Sequence, residues 1–256
     1  MAMKSFLSVF LISFCFTVSA QNTDSLFFRK MYDFALTESS CYENLRVLCK
    51  DVGHRLSGSP GAQKAVEWGE KTMKDLGFDT VYLQEVMVPH WVRGNEKLTA
   101  SFEYTGKKEQ KISGKLMNYS VTALGGSVGT KGELSAEIIE VKSLAELKDL
   151  GEKRIKGKIV FFNRPMGETE IVTFHAYRGC VDQRGSGATE AARYGAVGVI
   201  IRSMTQANDD HPHTGALHYN DSVTKIPAAA ISTQTADAFS KAIKQGKTVR
   251  VWLNLG

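Results

Sequence analysis

The chain has 256 residues, of which 43% are hydrophobic and 23% charged, and its formal net charge is +5 at pH 7. This length accommodates one large domain or two modest ones. The charge is spread along the chain without a basic run or interleaved aromatic residues, which argues against nucleic-acid binding.

The first residues, up to Ala20, have the layout of a secretory signal peptide. Lys4 precedes an apolar run from Phe6 to Phe16, which is too short to span about 30 Å of hydrocarbon. Cleavage after Ala20 would remove Lys4 and no acidic residue, lowering the net charge from +5 to +4. We therefore expect a secreted protein, extracellular or periplasmic, that is free of the membrane after signal removal.

The mature chain keeps Cys41, Cys49 and Cys180, and an odd number of cysteines argues against a disulfide framework. If Cys41 and Cys49 share one helix, about 12 Å separates them along its axis. That distance is too long for a disulfide bond. We expect buried thiols that pack as small hydrophobic side chains.

Residues up to about 78 are predicted to be helical. Ser40 and Glu43 have the spacing of a capping box, and Ser59 with Pro60 provides the N-cap and first position of a later helix. Gly77 is predicted to end that helix. A set of apolar residues near the start recurs at helical spacing and predicts a buried stripe: Leu26, Phe27, Met31, Phe34 and Ala35.

From residue 79 the apolar pattern changes to alternation. Residues 79–91 and 96–106 predict two strands that form a hairpin. Further on, Ser143 and Glu146 form a second capping box. The rest of the chain predicts mixed β structure with short helices. The final strand-like stretch ends at Gly256, which is expected of an edge strand or of part of a larger protein.

The stretch DDHPHTGALHY, residues 209–219, gathers three of the six histidines of the chain. Three histidines can hold a catalytic zinc ion with an open fourth position, which makes His211, His213 and His218 candidate ligands. Pro212 and Gly215 instead favour an ordinary loop. Both interpretations stay open, with the loop favoured.

Two other motifs suggest chemistry only weakly. His54 and Arg55 stand beside Ser57 and Ser59, but no G-x-S-x-G elbow accompanies them. A loop arginine such as Arg55 can bind a carboxylate through two hydrogen bonds. The G-x-G formed by residues 185–187 lacks the preceding strand and third glycine of a dinucleotide-binding loop, so it predicts a helix start packed closely against a sheet.

Several stretches of the chain, in this order, resemble the carboxypeptidase Q-like family of secreted di-zinc exopeptidases, which carry an inserted protease-associated (PA) domain: GHRLSGSPGAQKAVEW, VMVPHWVRGNEKL, GKIVFFNRP, AARYGAVGVIIRS, PHTGALHY and KIPAAAIS. The resemblance implies an α/β (α+β) protein. Residues 21–110 would be the helical and hairpin start of an incomplete peptidase domain. Residues 111–247 would form the PA domain, a mixed β structure with short helices, and residues 248–256 a strand returning to the peptidase domain.

The resemblance also limits which site residues can be assigned. The family holds two zinc ions with a His-x-Asp, an aspartate, a Glu-Glu pair and a distal histidine, none of which has a counterpart here. We therefore assign no catalytic residue or metal ligand, and expect zinc only in a complete enzyme. The Arg55–Ser59 loop resembles the family's loop at the rim of the active site. The PHTG loop, residues 212–215, resembles a PA-domain loop of the family, and we expect it to lie near the cleft. The candidates for controlling substrate access are Arg55, Ser57, Ser59, His213 and Thr214.

Three functions follow as hypotheses. The first is the N-terminal and PA-domain part of an exopeptidase for dipeptides or short peptides, inactive by itself and with a homodimer possible. The second is an exported PA-type module that binds without catalysis. The third is a mononuclear metalloenzyme that uses the three histidines.

Overall fold

The structure is a computed structural model that describes residues 22–105 and 111–256. The predicted signal peptide therefore lies outside the described residues. The chain divides into two compact units, Met1–His90 and Trp91–Gly256, which are described separately below as the first and the second unit.

The first unit is helical. It contains α1 (Asn22–Thr37), α2 (Cys41–Val47), a π-helical turn (Leu48–Val52) and α3 (Pro60–Asp75). Ser59 is the N-cap of α3, because its hydroxyl accepts a hydrogen bond from the backbone N–H of Ala62 at 3.2 Å. Pro60 occupies the first turn of α3. The predicted start of this helix is confirmed.

Two other predictions for the first unit are wrong. Ser40 precedes α2 without making a side-chain cap, since the Glu43 carboxylate instead accepts hydrogen bonds from Arg46 Nε at 2.8 and 2.9 Å. The predicted apolar stripe does lie on a helix, α1, but its side chains are exposed; Phe27, for example, is 60% exposed. Among its described residues the first unit contains no strand on which this helix could pack.

The second unit is built on a sheet. Its described strands are β1 (Glu96–Thr105), β2 (Lys111–Ser113), β3 (Met117–Tyr119), β4 (Val121–Ala123), β5 (Leu134–Val141), β6 (Ile159–Phe162), β7 (Gly198–Arg202), β8 (Ala228–Ile231) and β9 (Thr248–Leu255). They lie in the order β2-β1-β9-β5-β6-β7-β8-β4, and β3 also pairs with β1. The strands from β5 to β8 run parallel, and the other pairs are antiparallel. This confirms a mixed α/β fold.

The predicted hairpin of residues 79–106 is wrong. Residues 79–95 form no strand, and β1 has both of its edges occupied. β9 pairs along one edge of β1, while β2 and β3 share the other. No edge is left on β1 for residues 79–91 to occupy.

The final strand lies in the interior of the sheet. β9 is hydrogen-bonded to β1 on one side and to β5 on the other, so it is not an edge strand. Its alternate side chains are buried, namely Val249, Val251, Leu253 and Leu255. The compact second unit therefore includes both β1 and β9, whereas the predicted PA-domain limits were residues 111 and 247.

The helices of the second unit are α4 (Leu144–Ile155), α5 (Thr173–Arg178), α6 (Asp182–Gly185), α7 (Gly187–Arg193) and α8 (Thr233–Lys244). Of these, α4, α7 and α8 cover the two faces of the parallel strands. The core of one face includes Phe239 of α8, and that of the other includes residues of α4 and α7. The second capping box is confirmed for its N-cap bond, which the Glu146 N–H donates to Ser143 Oγ at 3.0 Å. The Glu146 carboxylate accepts its bond from the N–H of Lys142, one residue before the N-cap, at 2.7 Å.

Candidate functional site

The loop Arg55–Ser59 lies in the first unit, and Arg55 there binds backbone. Its Nη1 donates hydrogen bonds to the carbonyl oxygens of Leu48 and Gly53, at 2.5 and 2.6 Å. These carbonyls belong to the π-helical turn and to the residue that follows it. Arg55 thus stabilises the end of that turn.

Ser57 and Ser59 line a groove of about 550 Å³ within the first unit, together with Gln63 and Glu85. The Ser59 hydroxyl already accepts the N-cap hydrogen bond of α3. Among the described residues, no hydrogen bond joins a serine of this loop to a histidine, as a nucleophilic pair would require. The groove therefore offers polar contacts, and the described contacts assemble no activated nucleophile.

Asp210, at the start of the histidine-rich loop, connects this loop to the rest of the second unit. Asp210 accepts hydrogen bonds from the hydroxyls of Ser232 at 2.7 Å, Ser120 at 3.0 Å and Thr235 at 3.4 Å. These bonds, led by the one from Ser232, lower the pKa of Asp210. Since Ser232 is the N-cap of α8, the loop is attached to the start of that helix.

The PHTG loop, residues 212–215, is held at the sheet by two hydrogen bonds. The His213 N–H donates to Ser203 Oγ at 2.7 Å, just after β7. Thr214 Oγ1 donates to the carbonyl of Ala123 at 2.7 Å, at the end of β4. The side chains of His213 and Thr214 are exposed, so they are accessible on the surface of the second unit.

The three histidines do not converge on a metal site in the structure. Among residues 22–105 and 111–256, no group of three His, Cys, Asp or Glu side chains could hold a metal ion. The backbone of His218 is bound to a different part of the second unit, since its N–H donates a hydrogen bond to the carbonyl of Gly185 at 2.9 Å. The described residues thus do not fit a zinc ion, and we derive no catalytic step through zinc.

The G-x-G segment starts a helix, as predicted. Gly187 begins α7, and a Cβ at this position would lie 2.9 Å from Cε2 of Phe162 on β6. Gly185 has no atom within 4 Å of such a position. The second glycine thus permits close packing of helix on strand.

A groove that the sequence did not predict lies beyond the carboxyl ends of β6 and β7. It has a volume of about 420 Å³ and is lined by Met166, Thr173, Phe174, Tyr177, Met204, Thr205, Gln206 and Ala207. The loops that form it are joined by a hydrogen bond from Gln206 Nε2 to the carbonyl of Gly167 at 2.9 Å. Apolar residues beside it are exposed, including Ile171 at 99% and Phe174 at 77%. The signal available in the sequence was the apolar run that contains Ile171 and Phe174, which stands between polar segments.

Arginine side chains stand at the same end of the sheet. Arg164 forms an ion pair with Asp182, and Arg184 donates a hydrogen bond to the Tyr177 hydroxyl. Burial raises the pKa of the nearby Cys180 thiol, and the positive charges of Arg164 and Arg184 partly oppose this effect. All three cysteines of the described residues are free thiols, but Cys41 and Cys49 are exposed, so their predicted burial is wrong.

Comparison with known proteins relates this chain to one group of peptidases. Residues 113–239 match the model of the PA domain. The chain is 39% identical over 220 residues to carboxypeptidase Q of Xenopus laevis, covering 86% of this chain and 43% of that protein. It is 32% identical over 224 residues to human carboxypeptidase Q, covering 87% and 43%.

A solved structure agrees with these matches. The crystal structure of a peptidase M28 precursor from Shewanella amazonensis is similar with a TM-score of 0.73 and 37% identity. The similarity covers 87% of this chain and 48% of that one. The chain therefore spans less than half the length of the relatives it matches.

Proposed function

The chain is a carboxypeptidase Q-like protein of the M28 peptidase group with a PA domain, and on that premise we propose that it forms the N-terminal and PA-domain part of a secreted zinc exopeptidase. The complete enzyme would release residues from dipeptides or short peptides. Two zinc ions would be held by residues that this chain does not supply. By itself the chain would be inactive.

The extent of the similarity carries this proposal. The PA-domain match covers residues 113–239, but the match to Xenopus carboxypeptidase Q covers 220 residues, 86% of this chain. The resemblance thus continues into parts of the chain that a PA domain alone does not explain. Those parts include the helices and the Arg55–Ser59 loop of the first unit, which resemble the start of the peptidase domain.

In this proposal the PA domain shapes access of the peptide to the active site. His213 and Thr214 are exposed on this loop. The His213 imidazole is available to a ligand because His213 binds Ser203 through its backbone N–H, whereas the Thr214 hydroxyl already donates a hydrogen bond to the carbonyl of Ala123. Ser57 lines a groove in the first unit and is the corresponding candidate there. Secretion after signal cleavage and a homodimer also belong to the proposal. Among the residues that the structure describes, no helix is long and apolar enough to cross a membrane.

One observation supports an alternative. The second unit, Trp91–Gly256, encloses its own apolar cores on both faces of the sheet. Such a unit could act as an exported binding module without catalysis. The two functions differ in what the coding sequence after Gly256 contains.

The deciding experiment is to read the coding sequence beyond Gly256 and to assay the resulting protein. We expect a His-x-Asp and a Glu-Glu motif downstream, and zinc-dependent hydrolysis of dipeptides by the longer product. The 256-residue chain serves as the matched control and should show no turnover above the blank. A stop codon directly after Gly256 would favour the binding module, and dipeptide hydrolysis by the control would contradict the proposed inactivity.

The role of the PHTG loop has its own test. In the longer protein, His213→Ala should alter the Michaelis constant or turnover for dipeptides. His175→Ala is a suitable control, because His175 is another exposed histidine of the second unit, outside this loop. If His213→Ala leaves both kinetic constants unchanged, the loop does not control substrate access.

A further inference from the structure

Arg184 is a half-buried cation whose described partners are all uncharged. Its Nη2 donates a hydrogen bond to the Tyr177 hydroxyl, and its Cζ lies 5.3 Å from the centre of the Tyr177 ring. The backbone at Gly215 of the PHTG loop packs against the guanidinium so closely that a Cβ there would collide with it. Its Nε is buried and has no hydrogen-bond partner in the described part of the chain.

Two neighbouring arginines form ion pairs, although each of them, like Arg184, has a buried Nε without a hydrogen-bond partner in the described residues. Arg164 forms an ion pair with Asp182, and Arg202 forms one with Asp237 at 2.5 Å. Arg184 makes no ion pair with any acidic side chain of the described residues. Withdrawing a cation from water without an anionic partner is unfavourable. A guanidinium so placed is suited to a carboxylate, which can accept two parallel hydrogen bonds from it.

The apolar groove described above adjoins this cation. Tyr177 belongs to both, because its ring lines the groove and its hydroxyl binds Arg184. The groove walls are largely apolar, with Met166, Phe174 and Met204 among the lining residues.

We propose that Arg184 and the adjoining groove form a binding site for the carboxyl terminus of a short peptide. Arg184 binds the terminal carboxylate, and the groove receives the apolar side chain of the last residue. The positive charge of Arg184 favours binding of an anionic group. The apolar walls of the groove favour an apolar side chain next to that group. The choice of a peptide among carboxylates rests on the proposed exopeptidase function.

The site can be tested by binding to the 256-residue chain, without any catalytic activity. The probes are the dipeptide Ala-Leu and its C-terminal amide, titrated by calorimetry or by chemical-shift changes of the groove residues. We expect the free acid to bind at least about tenfold more tightly than the amide. In Arg184→Met this preference should disappear. Arg193→Met is the matched control, because Arg193 pairs with Glu190 on the surface of α7, and it should keep the preference.

A third probe distinguishes the source of the carboxylate. Glu-Leu-amide carries a side-chain carboxylate but no terminal one, and we expect it to bind as weakly as Ala-Leu-amide. Tight binding of Glu-Leu-amide would overturn the assignment to the peptide terminus. Equal affinities of Ala-Leu and its amide for the parent chain would overturn the site, as would failure of both to bind at about 20 mM.

The proposal remains testable if Arg184→Met does not fold, which its circular dichroism spectrum would reveal. Arg184→Lys keeps the charge but cannot donate two parallel hydrogen bonds. We expect it to reduce the preference for the free acid at least about threefold, and an unchanged preference would contradict the proposal. Because these measurements need no turnover, their failure is distinct from a failure of the longer protein to hydrolyse dipeptides.

Discussion

The two units of this chain contrast in how far their apolar residues are removed from water. In the first unit, α2, the π-helical turn and α3 contain no buried residue, and the apolar side chains of α1 are exposed. In the second unit, every residue of β6 and β8 is buried. The comparison shows that regular helices can be specified by local signals even where no core encloses them.

The local signals of the first unit are identifiable. Ser59 and Pro60 determine where α3 begins, and Arg55 stabilises the preceding turn. Helices in water nevertheless gain most of their stability from packing an apolar face. In the proposed complete peptidase, the rest of that domain would cover the exposed faces. The second unit needs no such partner, because both faces of its parallel strands are covered within the chain.

The largest expected difference between the units is in hydrogen exchange. Backbone amides of β6, β7 and β8 should exchange on the order of a hundredfold more slowly than those of α1 and α3, or slower still. The reason is that opening the sheet exposes the buried cores, whereas opening a helix of the first unit exposes little new apolar surface. Exchange measured by mass spectrometry on the 256-residue chain checks this directly. If the backbone amides of α3 and β7 exchanged at equal rates, the two units would not differ in local stability.

Truncating one phenylalanine in each unit should give the next largest difference. Phe239 is fully buried, and its ring contacts those of Phe102, Tyr119 and Phe161 with centroids 6.1, 5.1 and 6.2 Å away. We expect Phe239→Ala to lower the free energy of unfolding of the second unit by about 3–5 kcal/mol. Phe34→Ala is the matched control: its ring is 59% exposed, and we expect a change of about 0.5 kcal/mol or less.

Urea denaturation followed by a probe in each unit measures both effects. A loss of stability from Phe34→Ala comparable to that from Phe239→Ala would show that α1 packs as a core helix. That result would contradict the contrast between the two units, because it would mean that the first unit has an apolar core of its own.

The G-x-G segment offers a closer test within the second unit. Gly187→Ala should cost about 1–3 kcal/mol, because its Cβ would lie 2.9 Å from the ring of Phe162, a fully buried residue. Gly185→Ala is two residues away and meets no atom within 4 Å, so it should be nearly neutral. Thermal unfolding of the two variants checks the difference. Equal melting temperatures would show that α7 can shift away from β6 without loss.

What could be predicted from the sequence follows a division between local and long-range interactions. The N-cap at Ser59 and the capping box at Ser143 were predictable, because each depends on residues within one helical turn. The interior position of β9 was not, since β9 pairs with β1, which precedes it by well over a hundred residues. The hairpin prediction failed for a related reason: residues 79–91 alternate as a strand does but form none, because alternation does not reveal whether a partner edge is available.

The same difference between local and long-range interactions applies to the residues of the candidate site. The sequence identified the PHTG loop and the surrounding histidines. It could not show that Asp210 binds the start of α8, or that among the described residues these histidines belong to no metal-binding group. Nothing in the sequence distinguishes Arg184 from the other arginines, because an arginine beside a glycine-rich turn is common. Its lack of an acidic partner is evident only once Asp182 and Asp237 are seen to pair with other arginines.

The smallest expected effect concerns pH and Asp210. Its hydrogen bond from Ser232, the largest cause, lowers the pKa of this carboxyl below its ordinary value. A group with a lowered pKa in the folded state stabilises the fold above its unfolded pKa, near 4, and loses this contribution as the pH falls through the folded value. Because Asp210 is exposed and solvent screens its interactions, we expect Asp210→Asn to lower the free energy of unfolding by at most about 1 kcal/mol at pH 7, and by progressively less below about pH 4.

The matched control is Asp221→Asn. The Asp221 side chain is 91% exposed and forms an ion pair with Lys225 at 3.0 Å, so its replacement should change stability by about 0.3 kcal/mol at most. Urea unfolding of both variants between pH 3 and pH 7 measures the dependence. A constant deficit for Asp210→Asn across this range would mean that the amide disturbs packing rather than removing a charge. The attachment of the histidine-rich loop to α8 would then not depend on the ionised carboxylate.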